Sequence, residues 1–322
     1  MTEITLAICM YNAENYIEET LACIVAQTMQ DFHLLIVNDC STDKSVECVE
    51  KFFKRNPRQY ELISLTENKG LCAGRRFVEE HATTKYLLFV DADDCPMPQF
   101  VERLYKKIIS DNNLMAVGCY LQYIDLHGKR IKGGIYLGET TKDSFLKKAA
   151  RGKLIFMAST SLYDRDIALS VGGHNIHGFP IGKPRYQDLC EDLDLWTRMS
   201  DLYTEGKAIV VIPEVLYYYR KGDGISLSSL GMLLRMRHIK TNLKRRRRGL
   251  EELSFVDFRA QITTKEMLCL EKEACAADAL RRAYYHLRAG HIIVGVKDLC
   301  LSIKSNPHYI VDKVKHNLLR MK

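Results

Sequence analysis

An α/β fold wound around a largely parallel sheet is what the first hundred residues predict, on three observations. Short apolar runs alternate with amphipathic stretches, each run has strand length, and polar residues gather where the runs end. Strands at 4–10, 32–37, 60–65 and 86–90 alternate with helices at 13–27, 44–54 and 71–81, a doubly wound pattern.

Beyond Pro98 the alternation loosens. A helix over 99–110 precedes a hairpin near 125–128, with strands at 114–123 and 154–163. A loop rich in Gly, His and Pro spans 172–184, then a helix over 191–203 and strands at 208–212 and 215–219. From Leu227 the pattern is helical, with a hairpin of 274–289 and 292–305 broken at Gly290; Asn306-Pro307 ends its second helix. The expected organisation is a catalytic domain over 1–226 and a helical region over 227–322.

Hydrophobic residues at 47% and charged residues at 27% exclude a disordered or fibrous chain. No run approaches the roughly 20 apolar residues of a membrane span, and Met-Thr-Glu-Ile-Thr carries no secretory signal. A cytoplasmic address is expected, with the inner face of the membrane as a second station. The 11 cysteines are scattered without C-x-x-C pairs, and Cys269 and Cys275 lack histidines at zinc spacing, so reduced thiols are expected. The net charge of +7 is local: eight Lys or Arg fall between Arg235 and Arg248, beside Met232, Met236, Ile239 and Leu243 at helical spacing. Such a helix suits an anionic membrane surface or a lipid-linked phosphorylated acceptor, and equally a helix packed on the catalytic domain. Without aromatic stacking residues it does not suit nucleic acid.

Four features carry chemistry. Phe89-Val-Asp-Ala-Asp-Asp94 places carboxylates just past an apolar strand, where open α/β sheets bind ligands. Asp91 and Asp93, flanking Ala92, suit a hard divalent ion shared with substrate phosphates, or else an acid cluster at a helix start. Asp39 ends the second strand, placed to meet a base or ribose, while Ser41 or Thr42 can cap the next helix. Asn68-Lys-Gly70 leads through Gly74 to Arg75 and Arg76, a tight turn with forked donors for phosphate. No Walker or dinucleotide glycine pattern is present. Finally, Glu191 and Asp192 open a helix carrying Trp196 and Arg198, as a dipole-stabilised acid pair or as a general base.

In this order and at these distances, the four features resemble the family 2 glycosyltransferases, whose A-type fold is Rossmann-like with a mixed central sheet. The resemblance covers about 4–226. Ala7-Ile-Cys-Met-Tyr-Asn12 and Glu14 match the opening strand and turn, implying Tyr11, Asn12 and Glu14 at the nucleotide. Asp39 matches the nucleoside-binding acid; Asn68, Gly70 and Arg75 match the N-x-G-x-x-x-A-R-N turn; Asp91, Ala92 and Asp93 match the D-x-D that meets ribose and metal-bound diphosphate. Gly172-Gly173 and Glu191-Asp192 match later elements, implying Asp192 as catalytic base and Glu191, Asp94 and Trp196 toward the acceptor. Implied with these are a nucleotide-sugar donor, with uracil the base most often found, a divalent metal (Mn2+ or Mg2+), a glycan or glycolipid acceptor and inversion without a covalent intermediate. Asn38 and Cys40 depart from the V-D-D-G-S run, Gly74 and Arg76 replace Ala and Asn, and no histidine follows Tyr219-Arg220, leaving Asp223 as a substitute third metal ligand.

Two other readings stand beside this one. A haloacid-dehalogenase-like phosphotransferase would use Asp91 as nucleophile, although Cys95 stands where that family wants Thr or Val. A catalytically inactive sugar-nucleotide-binding protein would use the basic helix for partners.

Overall fold

The computed structural model describes residues 2–221, 229–288, 290–309 and 311. Its first elements follow the predicted alternation: β1 Ile4–Met10, α1 Ile17–Val25, β2 His33–Asn38, α2 Ser45–Arg55, β3 Glu61–Ser64, α3 Leu71–His81 and β4 Tyr86–Phe89. Then come β5 Cys95–Pro96, α4 Phe100–Ile108, β6 Leu114–Ile124, β7 Arg130–Ile135, α5 Lys142–Ala150, β8 Leu162–Asp164 and α6 Arg165–Ser170. After α7 Glu191–Met199 the chain forms β9 Ala208–Arg220, α8 Ser229–Arg246, α9 Phe255–Ala260, α10 Thr264–Arg288 and α11 Ile292–Ser305.

The nine strands form one mixed sheet in the order β3-β2-β1-β4-β8-β6-β9-β5, with β7 on the far side of β6. β3, β2, β1 and β4 run parallel, while short β8 is antiparallel to both β4 and β6. β1 and β4 are buried along nearly their whole length because helices cover both faces of a parallel sheet.

Tertiary contacts divide the chain into two compact units. The first comprises Met1–His177, Cys190–Gly222 and Leu243–Glu251; the second comprises Gly178–Leu189, Asp223–Asn242 and Glu252–Lys322. A single cut between 226 and 227 therefore does not describe the division, since 178–189 fall in the second unit and 243–251 in the first. Ser226 and Leu227, where the expected boundary lies, are outside the described residues, as is Asp223.

Two expectations change. Of the strand expected at 154–163 only Leu162 and Tyr163 pair with the sheet; Met157 and Ser161 instead cover Gly118, where a Cβ would come within 2.7 Å of Ser161 Oγ. An apolar run reads alike as strand or buried coil. Helix α7, expected to bury one side, is buried nearly all round, with Arg198 paired to Asp194 at 3.2 Å and donating to the carbonyls of Val171 and Gly173, each at 2.6 Å. Of the two roles left open for the basic helix, packing describes half of its apolar stripe: Ile239 is 1% and Leu243 0% exposed, while Met232 and Met236 are half-buried. Several of its cations are engaged, while Arg237, Lys240, Lys244 and Arg248 are exposed. Arg235 donates from Nε to the Leu189 carbonyl at 3.1 Å and lies over the Phe179 ring, while Arg246 and Arg247 grip Asp201 at 2.7 and 2.8 Å.

Candidate active site

Connections from β1 lead to β2 on one side and from β3 to β4 on the other, so the strand order reverses at β1. Ligands bind α/β sheets at such a switch point, beyond the C-terminal strand ends. The turns after β1, β2 and β4 lie there. Asn12, Cys40 and Cys190 are the non-glycine residues with positive φ among those described, at 51°, 60° and 57°. All three sit beside predicted site residues, where strained backbone often accompanies function.

The β1 and β2 turns are stitched together. The Asn12 N–H donates to Ser41 Oγ at 3.0 Å, and Asn12 Oδ1 accepts from the Thr42 N–H at 2.8 Å. The Ala13 N–H donates to Ser45 Oγ at 2.7 Å, and the Lys44 N–H to Glu14 Oε2 at 2.9 Å. Asn12 and Glu14, expected at the nucleotide, thus spend side-chain oxygens on the neighbouring turn; Tyr11 is half exposed. Asp39, 5% exposed, accepts from the backbone N–H of Lys69 at 2.7 Å, that of Gly70 at 2.8 Å and Asn68 Nδ2 at 2.8 Å. Gly70 turns its N–H to this carboxylate at φ 93°, a conformation that favours glycine.

Arg75 joins the two halves of the site. Buried on α3 at 1% exposure, it donates from Nη1 to Glu191 Oε1 at 2.6 Å and from Nη2 to Asp91 Oδ1 at 3.0 Å. The two carboxylates outweigh the cost of burial and hold the guanidinium charged. Burial, aided by the adjacent charge of Asp192 and opposed by Arg75, pushes Glu191 up to about 7. Burial also raises Asp192, whose Oδ1 accepts the Leu193 N–H at 2.7 Å.

The turn after β4 is held by groups distant in sequence. The Asp91 N–H donates to the Tyr217 hydroxyl at 3.1 Å, and Thr20 Oγ1 to the Ala92 carbonyl at 3.0 Å. Arg220 donates from Nε to the Asp93 carbonyl at 2.7 Å, from Nη2 to Glu19 Oε2 at 2.6 Å, and through its N–H to Asp94 Oδ1 at 2.7 Å. Asp94 is therefore an internal brace at 1% exposure, not an acceptor contact as expected. Trp196 is likewise corrected: 1% exposed, it packs edge-on against Tyr163 at 5.4 Å, within the core.

Asp93 is exposed as a residue, yet the protein crowded around its carboxyl, together with the charge of Asp91, pushes it up to about 6. A cation between Asp91 and Asp93 would relieve that repulsion, and hard carboxylate oxygens suit Mg2+ or Mn2+. Among the described residues no three His, Cys, Asp or Glu side chains converge as a metal cage, so phosphates and water would complete the coordination.

Sequence reading missed the support behind Phe89. Glu79, 0% exposed and one helical turn after Arg75, accepts from the His174 N–H at 2.7 Å, pairs with His174 Nδ1 at 2.8 Å and accepts from the Tyr163 hydroxyl at 3.0 Å. The rings of His174 and Tyr163 flank Phe89, over which Arg75 lies. The spacing of Arg75 and Glu79 on one helical face was the available signal; nothing local pointed to His174.

The glycosyl transferase family 2 model matches residues 5–169, just over half of the chain. A teichoic acid poly(glycerol phosphate) polymerase of Staphylococcus epidermidis is 32% identical over 161 residues, 48% of this chain and 22% of that protein. The chain thus spans only about a fifth of the length of the first curated relatives it matches. S. aureus TarS 1–349 in complex with UDP-GlcNAc aligns at a TM-score of 0.55 with 18% identity over 92% of this chain and 90% of that one. The mannosyltransferase PcManGT of Pyrobaculum calidifontis, in complex with GDP-Man and Mn2+, aligns at 0.53 with 17% identity over 97% and 88%. The mixed sheet is shared with these A-type glycosyltransferases, and Asp91 held by Arg75 is ill placed for the phosphotransferase alternative. With strand order, turn motifs and the family model in agreement, the chain belongs to glycosyl transferase family 2.

Proposed function

We propose that the chain is an inverting glycosyltransferase moving a hexosyl or N-acetylhexosaminyl group from a UDP-sugar to a hydroxyl of a glycan or glycolipid in cell-surface polymer synthesis. The observation that carries this reading is the buried Arg75 fork, which ties donor-side Asp91 to Glu191 at the start of α7. The names of the polymerase relative and of the UDP-GlcNAc complex support the acceptor and donor classes.

Asp192 is the base in this scheme. A sugar hydroxyl is too weakly acidic to ionise near neutral pH, so a carboxylate must take its proton as the new bond forms. Asp91 and Glu191 are committed to Arg75, whereas Asp192, partly buried at the start of α7, forms no ion pair among the described residues and accepts the Leu193 N–H. The turns carrying Tyr11, Asn12, Glu14, Asp39, Asn68 and Gly70 hold the nucleoside, and Asp91 and Asp93 orient the diphosphate. Glu191 positions the acceptor. When bound at Asp91 and Asp93, Mn2+ or Mg2+ supplies charge neutralisation for the leaving diphosphate.

A donor panel tests the reading. Release of UDP from a UDP-sugar in Mn2+, its loss in excess chelator, and little release from GDP- or dTDP-sugars are expected. Full turnover in chelator would remove the metal, and nucleotide binding without turnover of any donor would favour the inactive binding protein.

A further inference from the structure

The hairpin of α10 and α11 lines its seam with small residues. Ala276, Ala279 and Ala283 are buried, and Ser302 Oγ donates to the Ala276 carbonyl at 2.6 Å. Gly295 lies so close to Leu287 that a Cβ would come within 2.6 Å of its side chain. A helical hairpin in water ordinarily turns its large apolar side chains inward. Here most stand outside around the turn: Tyr284, Tyr285 and Val296 are exposed, with Ile292 at 65% and Ile293 at 74%. Close helix approach over small residues, with large apolar groups outward, is the habit of helices that meet lipid.

Charge follows the same segment. From residue 279 to 311 the described part of this segment carries five Lys or Arg against a single Asp. No Asp or Glu occurs from Leu280 to Lys297, and Asp298 is engaged by Arg282 at 3.2 Å.

We propose that the turn end of this hairpin is a docking tip that rests in the interface of an anionic lipid surface. Ile292, Ile293 and Val296 enter the acyl boundary, Tyr284 and Tyr285 sit at headgroup level, and the basic side chains meet anionic headgroups. A second copy of the chain fits less well, because a two-fold contact would set this basic segment against itself. The tip rests on the surface without crossing it: among the described residues no helix is long and apolar enough to span a membrane. The proposal is independent of the donor and of the base.

Vesicle flotation of the full chain tests it, with phosphatidylcholine alone and with phosphatidylcholine containing phosphatidylglycerol. Binding to the anionic vesicles only, weakening at high salt, is expected. The double variant Ile292→Asp, Ile293→Asp should lower partitioning by about tenfold or more, with nucleotide binding and far-UV circular dichroism unchanged. Should that variant misfold, Lys297→Gln, one helical turn on from Ile293, reads the same surface, at a loss of about fivefold for the charge removed. Equal partition into both vesicle types, or binding indifferent to salt, would overturn the proposal. So would a dimer in sedimentation that the double variant dissociates while neither protein floats.

Discussion

Asp39 and Glu191 are carboxylates buried to nearly the same degree, 5% and 8% exposed, yet their surroundings differ. Asp39 is met by two backbone N–H groups and the Asn68 amide, donors fixed by the turn that carries them. Glu191 is met by one guanidinium, which it shares with Asp91, and adjoins the charge of Asp192. Dedicated dipoles hold a charge inside a protein without a counterion, whereas one cation shared among several acids leaves part of their repulsion unrelieved. In the proposed scheme the nucleotide side would thus be set in advance, while on the acid–base side Glu191 is poised near neutrality.

The most severe break of this contrast lies on the acid–base side. Asp192→Asn should lower kcat by about 100-fold to 10,000-fold while leaving UDP affinity nearly unchanged. Steady-state turnover with calorimetric UDP titration checks it; near-normal turnover, with Glu191→Gln inactive instead, would move the base to Glu191.

Arg75→Gln comes next, because it leaves Asp91 and Glu191 without their shared cation. Removing one partner of a buried ion pair costs about 3–5 kcal/mol. Urea unfolding followed through Trp196, the single tryptophan, should register it. Arg75→Lys should recover little, since one ammonium cannot reach two carboxylates as a planar fork does.

The protonation of Glu191 makes a smaller and signed prediction. Its folded value near 7 lies above its ordinary 4.5, so the native state holds a proton that the unfolded chain has released. Stability should fall as pH rises from 4.5 through 7 and level off above, by up to about 3 kcal/mol. The difference between wild type and Glu191→Gln in unfolding free energy across that window isolates this effect. A difference curve of opposite slope would refute it.

The mildest change sharpens the nucleotide side. Asp39→Asn keeps one acceptor oxygen where two served three donors, so about 1–2 kcal/mol of stability and some UDP affinity should be lost. An unaltered 68–70 turn with full affinity would show that the hydrogen-bonded carboxylate is dispensable there.

Local information was enough for much of this molecule. The bounds of β1, α3 and α11 match the sequence reading, since periodicity and punctuating Gly and Pro act within a few residues. Carboxylates after an apolar strand identify a ligand-binding edge for the same reason. Only the tertiary structure brought Arg75 to Glu191 across 116 residues, or sent Trp196 and Asp94 inward while Asp93 stayed exposed. A motif carries residue types but not the direction in which each side chain points. By composition the basic helix suits a membrane surface and a packed helix alike, and only the structure showed that it buries Ile239 and Leu243. The α10–α11 hairpin, ordinary by pattern, kept its small residues inside and its isoleucines out. Burial is decided by partners distant along the chain, and periodicity names a face without naming what covers it.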